Sequence, residues 1–406
     1  MRTIRNLLGY GVFLPALLCA QPSFSVREAV ARALAGHPLL AAGAARVAVS
    51  SGHLEQAGLR PNPRLVLQSE NWRAYGGFQP NEELDHYGYL SQPFETAGKR
   101  LRRVEAARAG LRRAELEKEL LARQIAARVK QAYWAAAGAV RISQLWLENA
   151  RNFHQIVEYH EARVKEGAMA EADLLKVRLE EQRLAVAANS AGLETERARI
   201  QLFREMGATQ FPQAAFSDRL DPGPPPPIAA VEEALANRTE VKLARQSGDQ
   251  ARANLRLQQA NARPDFDLTL GYKRTAGFHT AVAGAQLPLP LFNRNQGNVG
   301  AATAEIRAAE SELAAAEALV RAEVRAAQSE VEMRRRQIEV LLKGARERAA
   351  ESSRIALAAY REGGTDLLRL LDAERFRIEV EVLYARTLAD YQGSVVALET
   401  AMGVEP

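Results

Sequence analysis

Residues 60–67 read RPNPRLVL, and residues 263–270 read RPDFDLTL. These two similar stretches lie roughly 200 residues apart, and other segments recur at about the same distance and in the same order. One such pair is LFREMG at residues 202–207 and LETAMG at residues 398–403. The chain is therefore predicted to contain two copies of one structural unit.

The two units are separated by a proline-rich segment. We place the first unit at residues 21–220 and the second at residues 228–406, with the sequence DPGPPPP between them at residues 221–227. Neither a helix nor a central strand tolerates a run of prolines, so this segment is predicted to be a stiff linker.

The N-terminus has the pattern of a secretory signal. Arg2 and Arg5 precede an apolar stretch at residues 7–18, which is too short to span a bilayer and is followed by Cys19 and Ala20. We predict that residues 1–20 are a signal peptide cleaved after Ala20. Acylation of Cys19 remains the alternative, although the residues before it are not the small ones usual at an acylated cysteine.

Most of each unit is predicted to be helical. Residues 94–211 and 291–405 contain no proline and are rich in Ala, Leu, Glu, Arg and Gln, which favour helices. In the second run, apolar residues follow the alternating three- and four-residue spacing of a coiled coil from Val299 to Val331, with one additional four-residue step.

Glycines divide each run into a helical hairpin. The hairpins are predicted at about 97–207 and 297–402, and they reverse direction at Gly167 and at Gly363–Gly364, where a helix can end in a left-handed turn. Each has a long arm and a shorter return arm. Because the helical segment that opens each unit has about the missing length, we expect it to stack end to end with the return arm.

Between the opening helix and the hairpin, each unit has a segment with β character. These segments, at about 64–94 and 265–291, each predict two strands, or four per chain. In the second, Phe266, Leu268 and Leu270 alternate with polar residues. Such a pattern fits a soluble sheet packed on a core, and it equally fits membrane strands with a wet lumen.

If these strands cross lipid, the chain must form oligomers. An open sheet edge in hydrocarbon leaves backbone groups unsatisfied, and four strands are too few to close a barrel. Three chains would supply twelve strands and gather the helices into a cylinder of about 100 Å. The predicted fold is mainly α, a long coiled-coil cylinder continued by a twelve-stranded membrane β-barrel in a trimer.

Composition argues against several other classes of protein. The 54 basic and 49 acidic side chains alternate along the chain and leave a net charge of +5, so nucleic-acid binding is not favoured. Cys19 is the single cysteine, and the six histidines do not have the spacing of metal ligands, His154 and His160 among them. We predict no catalytic residue, no metal site and no cofactor, and we expect the histidines on the surface.

The string YLSQPFETAGKR at residues 89–100 resembles the outer membrane efflux proteins of the TolC family, and within it the cobalt-zinc-cadmium (CzcC-like) branch. The two repeats and the signal are similar to that family as well, and the resemblance covers essentially all of the chain after the signal. Thr96 and Ala97 stand where the branch more usually has Leu and Gly, which bears on the substrate more than on the family.

The resemblance implies a homotrimeric channel in the outer membrane of a Gram-negative bacterium, with its helical part in the periplasm. It would be the passive exit duct of a tripartite pump, joined to an inner-membrane RND transporter by a periplasmic membrane-fusion adaptor. Heavy-metal cations (Co, Zn, Cd) are the expected cargo. Two alternatives stay open: the same channel exporting drugs or proteins, and a secreted structural coiled-coil protein.

The resemblance also assigns roles to residues at the hairpin ends. The turns would contact the adaptor through Gly167, Asp173, Leu174, Gly363, Gly364, Asp366 and Leu367. The candidate aperture residues are Tyr360, Arg369 and Asp372. Arg369 and Asp372 are three positions apart and share a helix face, so a hypothesis is that such pairs hold the aperture closed. The alternative is an ordinary exposed pair worth little.

Overall fold

The structure is a computed structural model that describes residues 23–72, 76, 77, 79, 83–224 and 230–404. The predicted signal peptide, with Cys19, lies outside the described residues. The helices are α1 (Val26–Gly36), α2 (Pro38–Ala57), α3 (Lys99–Lys165), α4 (Glu171–Glu205), α5 (Val231–Asn237), α6 (Thr239–Asn261), α7 (Gln296–Arg336), α8 (Lys343–Arg361) and α9 (Leu367–Met402). The strands are β1 (Ser23–Phe24), β2 (Arg64–Glu70), β3 (Asp85–Phe94), β4 (Ala215–Phe216), β5 (Phe266–Thr275) and β6 (Phe278–Gln286).

The first helical hairpin is built from α3 and α4. Helix α3 has 67 residues, which corresponds to a length of about 100 Å, and α4 returns with 35 residues. Gly98 precedes α3 and Gly167 follows it, both with a φ of 68°, in the left-handed region where glycine is favoured. The prediction of a mainly helical chain with two β-hairpins is confirmed.

The long arm of the second hairpin differs from the expected single α-helix. Between α7 and α8 the chain forms a π-helix over Gln337–Leu342, so the helix continues but widens for about one turn. Ile338 remains buried there, whereas Val340 and Leu341 are both exposed. The composition of this segment is that of an ordinary helix, which is why the sequence did not indicate the wider turn.

The opening segment of each unit is interrupted, in contrast to the expected single helix. His37 and Arg238 have extended backbone, and Pro38 after His37 explains the first break because it disfavours helical geometry in the preceding residue. A Cβ added at Gly207 would lie 2.9 Å from the His37 ring, so the end of α4 abuts this break. In the second unit, a Cβ added at Gly403 would lie 3.1 Å from the backbone nitrogen of Arg238. Only α2 and α6 therefore continue the line of the return helices.

The four long strands form one antiparallel sheet with the order β2-β3-β5-β6. Strands β3 and β5 join the two units, and Phe94 stacks on Phe266 with ring centroids 5.4 Å apart. At the base of the sheet, Lys99 from the GKR motif is buried and lies 2.7 Å from the carboxylate of Asp265. A two-residue parallel pair, β1 and β4, was not predicted.

The apolar face of this sheet is exposed. Leu65 and Leu270 both face Leu90 across neighbouring strands, and all three side chains are exposed. The sheet therefore does not cover a core of its own chain, which is what the soluble reading of the strands required. On the other face Tyr89 lies over Gly271, where an added Cβ would clash with the tyrosine Cβ.

The helices enclose three apolar clusters. One surrounds Tyr133, which is 0 % exposed and donates a hydrogen bond of 3.0 Å from its hydroxyl to the carbonyl oxygen of Phe24. The second surrounds Tyr391, and the third lies near the hairpin turns and includes Val157 and Leu371. Across the described residues, no helix is long and apolar enough to cross a membrane.

Candidate functional site at the tips of the helical hairpins

The two hairpin turns have the same backbone design. After α3, the N–H of Ala168 donates to the carbonyl oxygen of Arg163 at 2.9 Å, and after α8 the N–H of Gly364 donates to Ala359 at 2.8 Å. Asp366 then caps α9 by accepting a hydrogen bond of 2.9 Å from the N–H of Arg369. Each turn is thus closed by its own backbone before the return helix begins.

The predicted turn residues divide into two groups. Gly167, Gly363, Gly364 and Asp366 are exposed and Asp173 is half-buried, so these residues are accessible from outside the chain. Leu174 and Leu367 are buried. Both leucines pack within the chain at the first turn of each return helix, and their contact with an adaptor stays a prediction.

Tyr360 connects the two hairpins through a buried histidine. The Tyr360 hydroxyl lies 2.8 Å from Nε2 of His160, and the two rings stack with centroids 5.5 Å apart. His160 Nδ1 lies 2.7 Å from the carbonyl oxygen of Ile156. A carbonyl oxygen only accepts, so Nδ1 donates there, and Nε2 is the ring atom that contacts the tyrosine hydroxyl. Burial raises the pKa of Tyr360 above its ordinary value, which keeps the hydroxyl protonated.

The burial of His160 corrects the expectation that the histidines are surface residues. His160 is 0 % exposed, whereas His154 is exposed and lies 2.6 Å from the carboxylate of Glu181. The hydrogen bond that His154 donates to Glu181 raises the pKa of His154. Among the described residues, no group of three histidine, cysteine, aspartate or glutamate side chains is placed to hold a metal ion.

Arg369 and Asp372 lie on the exposed face of α9. Within the described chain no ion pair joins them; the carboxylate of Asp372 lies 3.9 Å from Arg375, also on α9. Both side chains thus remain available to another molecule at this end of the hairpin.

A buried carboxylate links the two return helices. Glu180 on α4, with its side chain 4 % exposed, lies 2.6 Å from Arg375 on α9 and 2.6 Å from Arg183 on its own helix. Burial alone would raise the pKa of Glu180, but the hydrogen bonds from Arg375 and Arg183 outweigh that effect and lower the pKa below its ordinary value. The group is therefore ionised at neutral pH.

A second polar network ties α9 to both long arms. The side-chain oxygen of Asn149 on α3 accepts a hydrogen bond of 2.7 Å from Arg377, and Arg377 pairs with Glu374 at 2.9 Å. Ser353 on α8 donates to Glu374 at 2.5 Å. Asn149 and Ser353 are both buried. One turn of α9 is thereby held against both long arms, α3 and α8.

These contacts border a groove between the long arms α3 and α8. The groove has a volume of about 340 Å³ and is lined by Asn149, His160, Ser353, Tyr360 and Arg377, with Leu370 of α9 among the other lining residues. The side chains that line the groove are partly polar and partly apolar, and among them no catalytic arrangement is recognisable. Its walls are the same residues that connect the hairpins.

Glu180 and His160 are buried polar residues that were not predicted, although the sequence contained a signal for both. Glu180 follows Leu174 and Val177 and precedes Leu184 at the spacing of the buried stripe of α4, so a charge stands where an apolar residue is expected. His160 continues the stripe of Phe153 and Val157 in the same way. A polar residue in such a stripe predicts a buried partner, although not its identity.

The family model described as outer membrane efflux protein matches residues 29–208 and 230–404. This chain belongs to that family. Its members are passive transport ducts of the outer membrane rather than enzymes, with the helical part in the periplasm, and the prediction of an outer membrane efflux channel is confirmed. Membership also excludes the alternative of a secreted structural coiled-coil protein.

The chain is similar to several known proteins in sequence or in fold. It is 25% identical to the cobalt-zinc-cadmium resistance protein CzcC of Cupriavidus metallidurans, over 90% of this chain and 86% of the relative. It is 26% identical to the nickel-cobalt-cadmium resistance protein NccC of Alcaligenes xylosoxydans xylosoxydans, over 73% and 69%. The fold matches the CmeC outer membrane channel of Campylobacter jejuni with a TM-score of 0.79, over 93% of this chain and 85% of that one, at 18% identity.

Proposed function

We propose that three copies of this chain assemble into the exit duct of a tripartite efflux pump. The observation that carries the proposal is the sheet, whose apolar face is exposed and whose edge strands β2 and β6 have one side unpaired in the described chain. Because β2 runs opposite to β6, the edges of neighbouring copies would join in antiparallel fashion. Closure satisfies backbone groups that would otherwise cost several kcal/mol each in lipid, and three copies supply twelve strands.

The helical layer supports the same assembly. Leu179, Val186 and Leu193 form an exposed stripe on α4 with steps of seven residues, and Met333 and Val340, seven positions apart in the long second arm, are exposed as well. Steps of seven are the spacing of a coiled-coil seam. We therefore propose that the α4 stripe of one copy packs against the long arm of the second hairpin in the neighbouring copy.

The finer organisation of the chain follows the same proposal. Residues 1–20 would be removed as a signal peptide, residues 21–220 and 228–406 would be the two repeats, and residues 221–227 the linker. The periplasmic adaptor would connect the duct to an inner-membrane RND transporter. It would contact the turns through Gly167, Asp173, Leu174, Gly363, Gly364, Asp366 and Leu367. Tyr360, Arg369 and Asp372 would help to hold the aperture closed, Arg369 and Asp372 by pairing between copies.

The proposed cargo is a heavy-metal cation such as cobalt, zinc or cadmium. The support is the similarity to CzcC, which extends over most of both chains, together with the similarity to NccC. An exit duct need not hold its cargo tightly, because a tight site would slow release. Transport energy would come from the inner-membrane transporter.

Deleting the gene and measuring growth on cobalt, zinc and cadmium salts, beside a panel of drugs, tests the cargo. Loss of metal tolerance alone is expected. Sensitivity to drugs with unchanged metal tolerance would assign the same duct to organic cargo.

Fractionation tests the assembly. We expect the protein in the outer membrane fraction, extracted by detergent as a heat-resistant trimer. Recovery as a monomer in the aqueous periplasmic fraction would overturn the proposed assembly.

A further inference from the structure

One face of α9 near the hairpin turn is exposed and carries a large aromatic side chain. Phe376 is 58 % exposed, and Asp372 and Glu379 on either side of it are exposed as well. Each residue of an α-helix turns by about 100°, so both carboxylates project within about 60° of Phe376. Leu383, one heptad further, continues the same stripe and is also exposed.

The opposite face of α9 is covered by the rest of the chain. Leu370 and Ile378 are buried there, and with Glu374 and Arg377 they form the floor of the groove between α3 and α8. Arg375, between the two faces, pairs with Glu180 on α4. In the described chain Phe376 therefore points away from both long arms.

We propose that Phe376 forms an apolar ring across the lumen of the assembled duct. The inference rests on the trimeric duct proposed above. A threefold axis brings the same residue of each copy to one height, so the exposed stripe of α9 becomes three rings in succession: Asp372, Phe376 and Glu379. Helix α9 begins at Leu367, so the ring formed by the three Phe376 side chains lies about 15 Å from the hairpin turn.

The chemistry of these rings suits control of cation passage. A narrow apolar constriction is poorly wetted and blocks hydrated ions, and it conducts once it widens enough to hold water. The carboxylates of Glu379, on the side away from the turn, attract cations and repel anions, whereas Asp372 is paired with arginine. Phe376 thus closes the lumen to hydrated ions, and the Glu379 ring favours cations on its far side.

Conductance of the purified protein in planar bilayers tests the ring. Phe376→Ser replaces the apolar side chain by a small polar one and is expected to raise the resting conductance about tenfold. Phe376→Leu keeps an apolar side chain and is expected to stay near the wild-type value. Ile355→Ser replaces an exposed apolar side chain on α8, outside the stripe, and serves as the matched control, with little change expected.

Proximity in the membrane gives a second readout. In Phe376→Cys, a short bismaleimide added to outer membranes is expected to link neighbouring chains into dimers. Ile355→Cys, at a position on α8 that is 59 % exposed, is expected to give none.

Two failures are distinguishable. If the wild-type protein forms channels but Phe376→Ser leaves the resting conductance unchanged, or Phe376→Cys does not cross-link, the ring is wrong and the duct stands. If the wild-type protein forms no channel, the duct itself is wrong, and the ring with it.

Discussion

The body of the helical layer and its tips are stabilised in different ways. Large apolar clusters surround Tyr133 and Val324 in the body, where the buried charged groups Arg199 and Arg238 lie at its edge rather than between the hairpin tips. At the tips, Glu180, Asn149 and His160 are buried as well, and each of them connects one hairpin to the other. Exposing apolar side chains to water costs free energy. Charged side chains that separate are hydrated again, which offsets part of the cost of breaking their contact. The tips are therefore the part of the layer that can separate at lower cost.

The largest expected effect is in the body. Tyr133→Ala removes a fully buried ring that contacts Phe24 and Phe216, and we expect it to lower the free energy of unfolding by about 3–5 kcal/mol. Tyr133→Phe keeps the ring but loses the hydrogen bond to Phe24 and the one from the N–H of Asp218, at about 1 kcal/mol each. Thermal melting of the heat-resistant oligomer measures both. Equal melting temperatures for the two variants would contradict the apolar account of the body.

At the tips, Glu180→Gln is expected to raise the resting conductance of the channel while leaving the oligomer intact. It removes the carboxylate that Arg375 and Arg183 share, and because both arginines are partly exposed the loss is on the order of 1–2 kcal/mol. Glu181→Gln, the neighbouring carboxylate that pairs with exposed His154, is the matched control. The same conductance in both variants would show that Glu180 does not hold the return helices together.

A smaller effect is expected from Tyr360→Phe. The variant loses only the hydroxyl that reaches His160 and keeps the stacked ring, so about 1 kcal/mol of the connection between the hairpins is removed. Single-channel recordings should show brief openings more often than in the wild type. Tyr159→Phe alters the adjacent tyrosine and should behave as the wild type; if it opens the channel equally, the contact with His160 is not the cause.

Acid should release the tips before it affects the body. The pKa of Glu180 is lower than its ordinary value of 4.5, so its stabilising contribution is complete above that value and is lost as the pH falls through the lowered pKa. Resting conductance should be constant from neutral pH to about pH 5 and should rise only in stronger acid. In Glu180→Gln this rise should be absent, and a rise of the same size in the variant would assign the titration to another group.

The sequence predicted the architecture better than the contacts at the tips. Proline-free runs and alternating residues such as Phe266 and Leu268 depend on local geometry, which is why the hairpins and strands could be placed. Residue spacing indicates which side of its own helix Glu180 occupies, but not that Arg375, 195 positions away, lies opposite. The π-helix at Gln337–Leu342 and the breaks at His37 and Arg238 likewise depend on packing between distant segments.

The position of Arg183 bears on whether the return helices α4 and α9 can separate and come together again repeatedly. Arg183 lies on the same helix as Glu180, so it would stay beside that carboxylate if α9 and Arg375 moved away. Glu180 would then never face the interior without a cation, and Arg375 would pass into water where its charge is well solvated. The contact between Glu180 and Arg375 could therefore break and re-form in successive openings of the channel, because neither side chain is left as an unpaired buried charge.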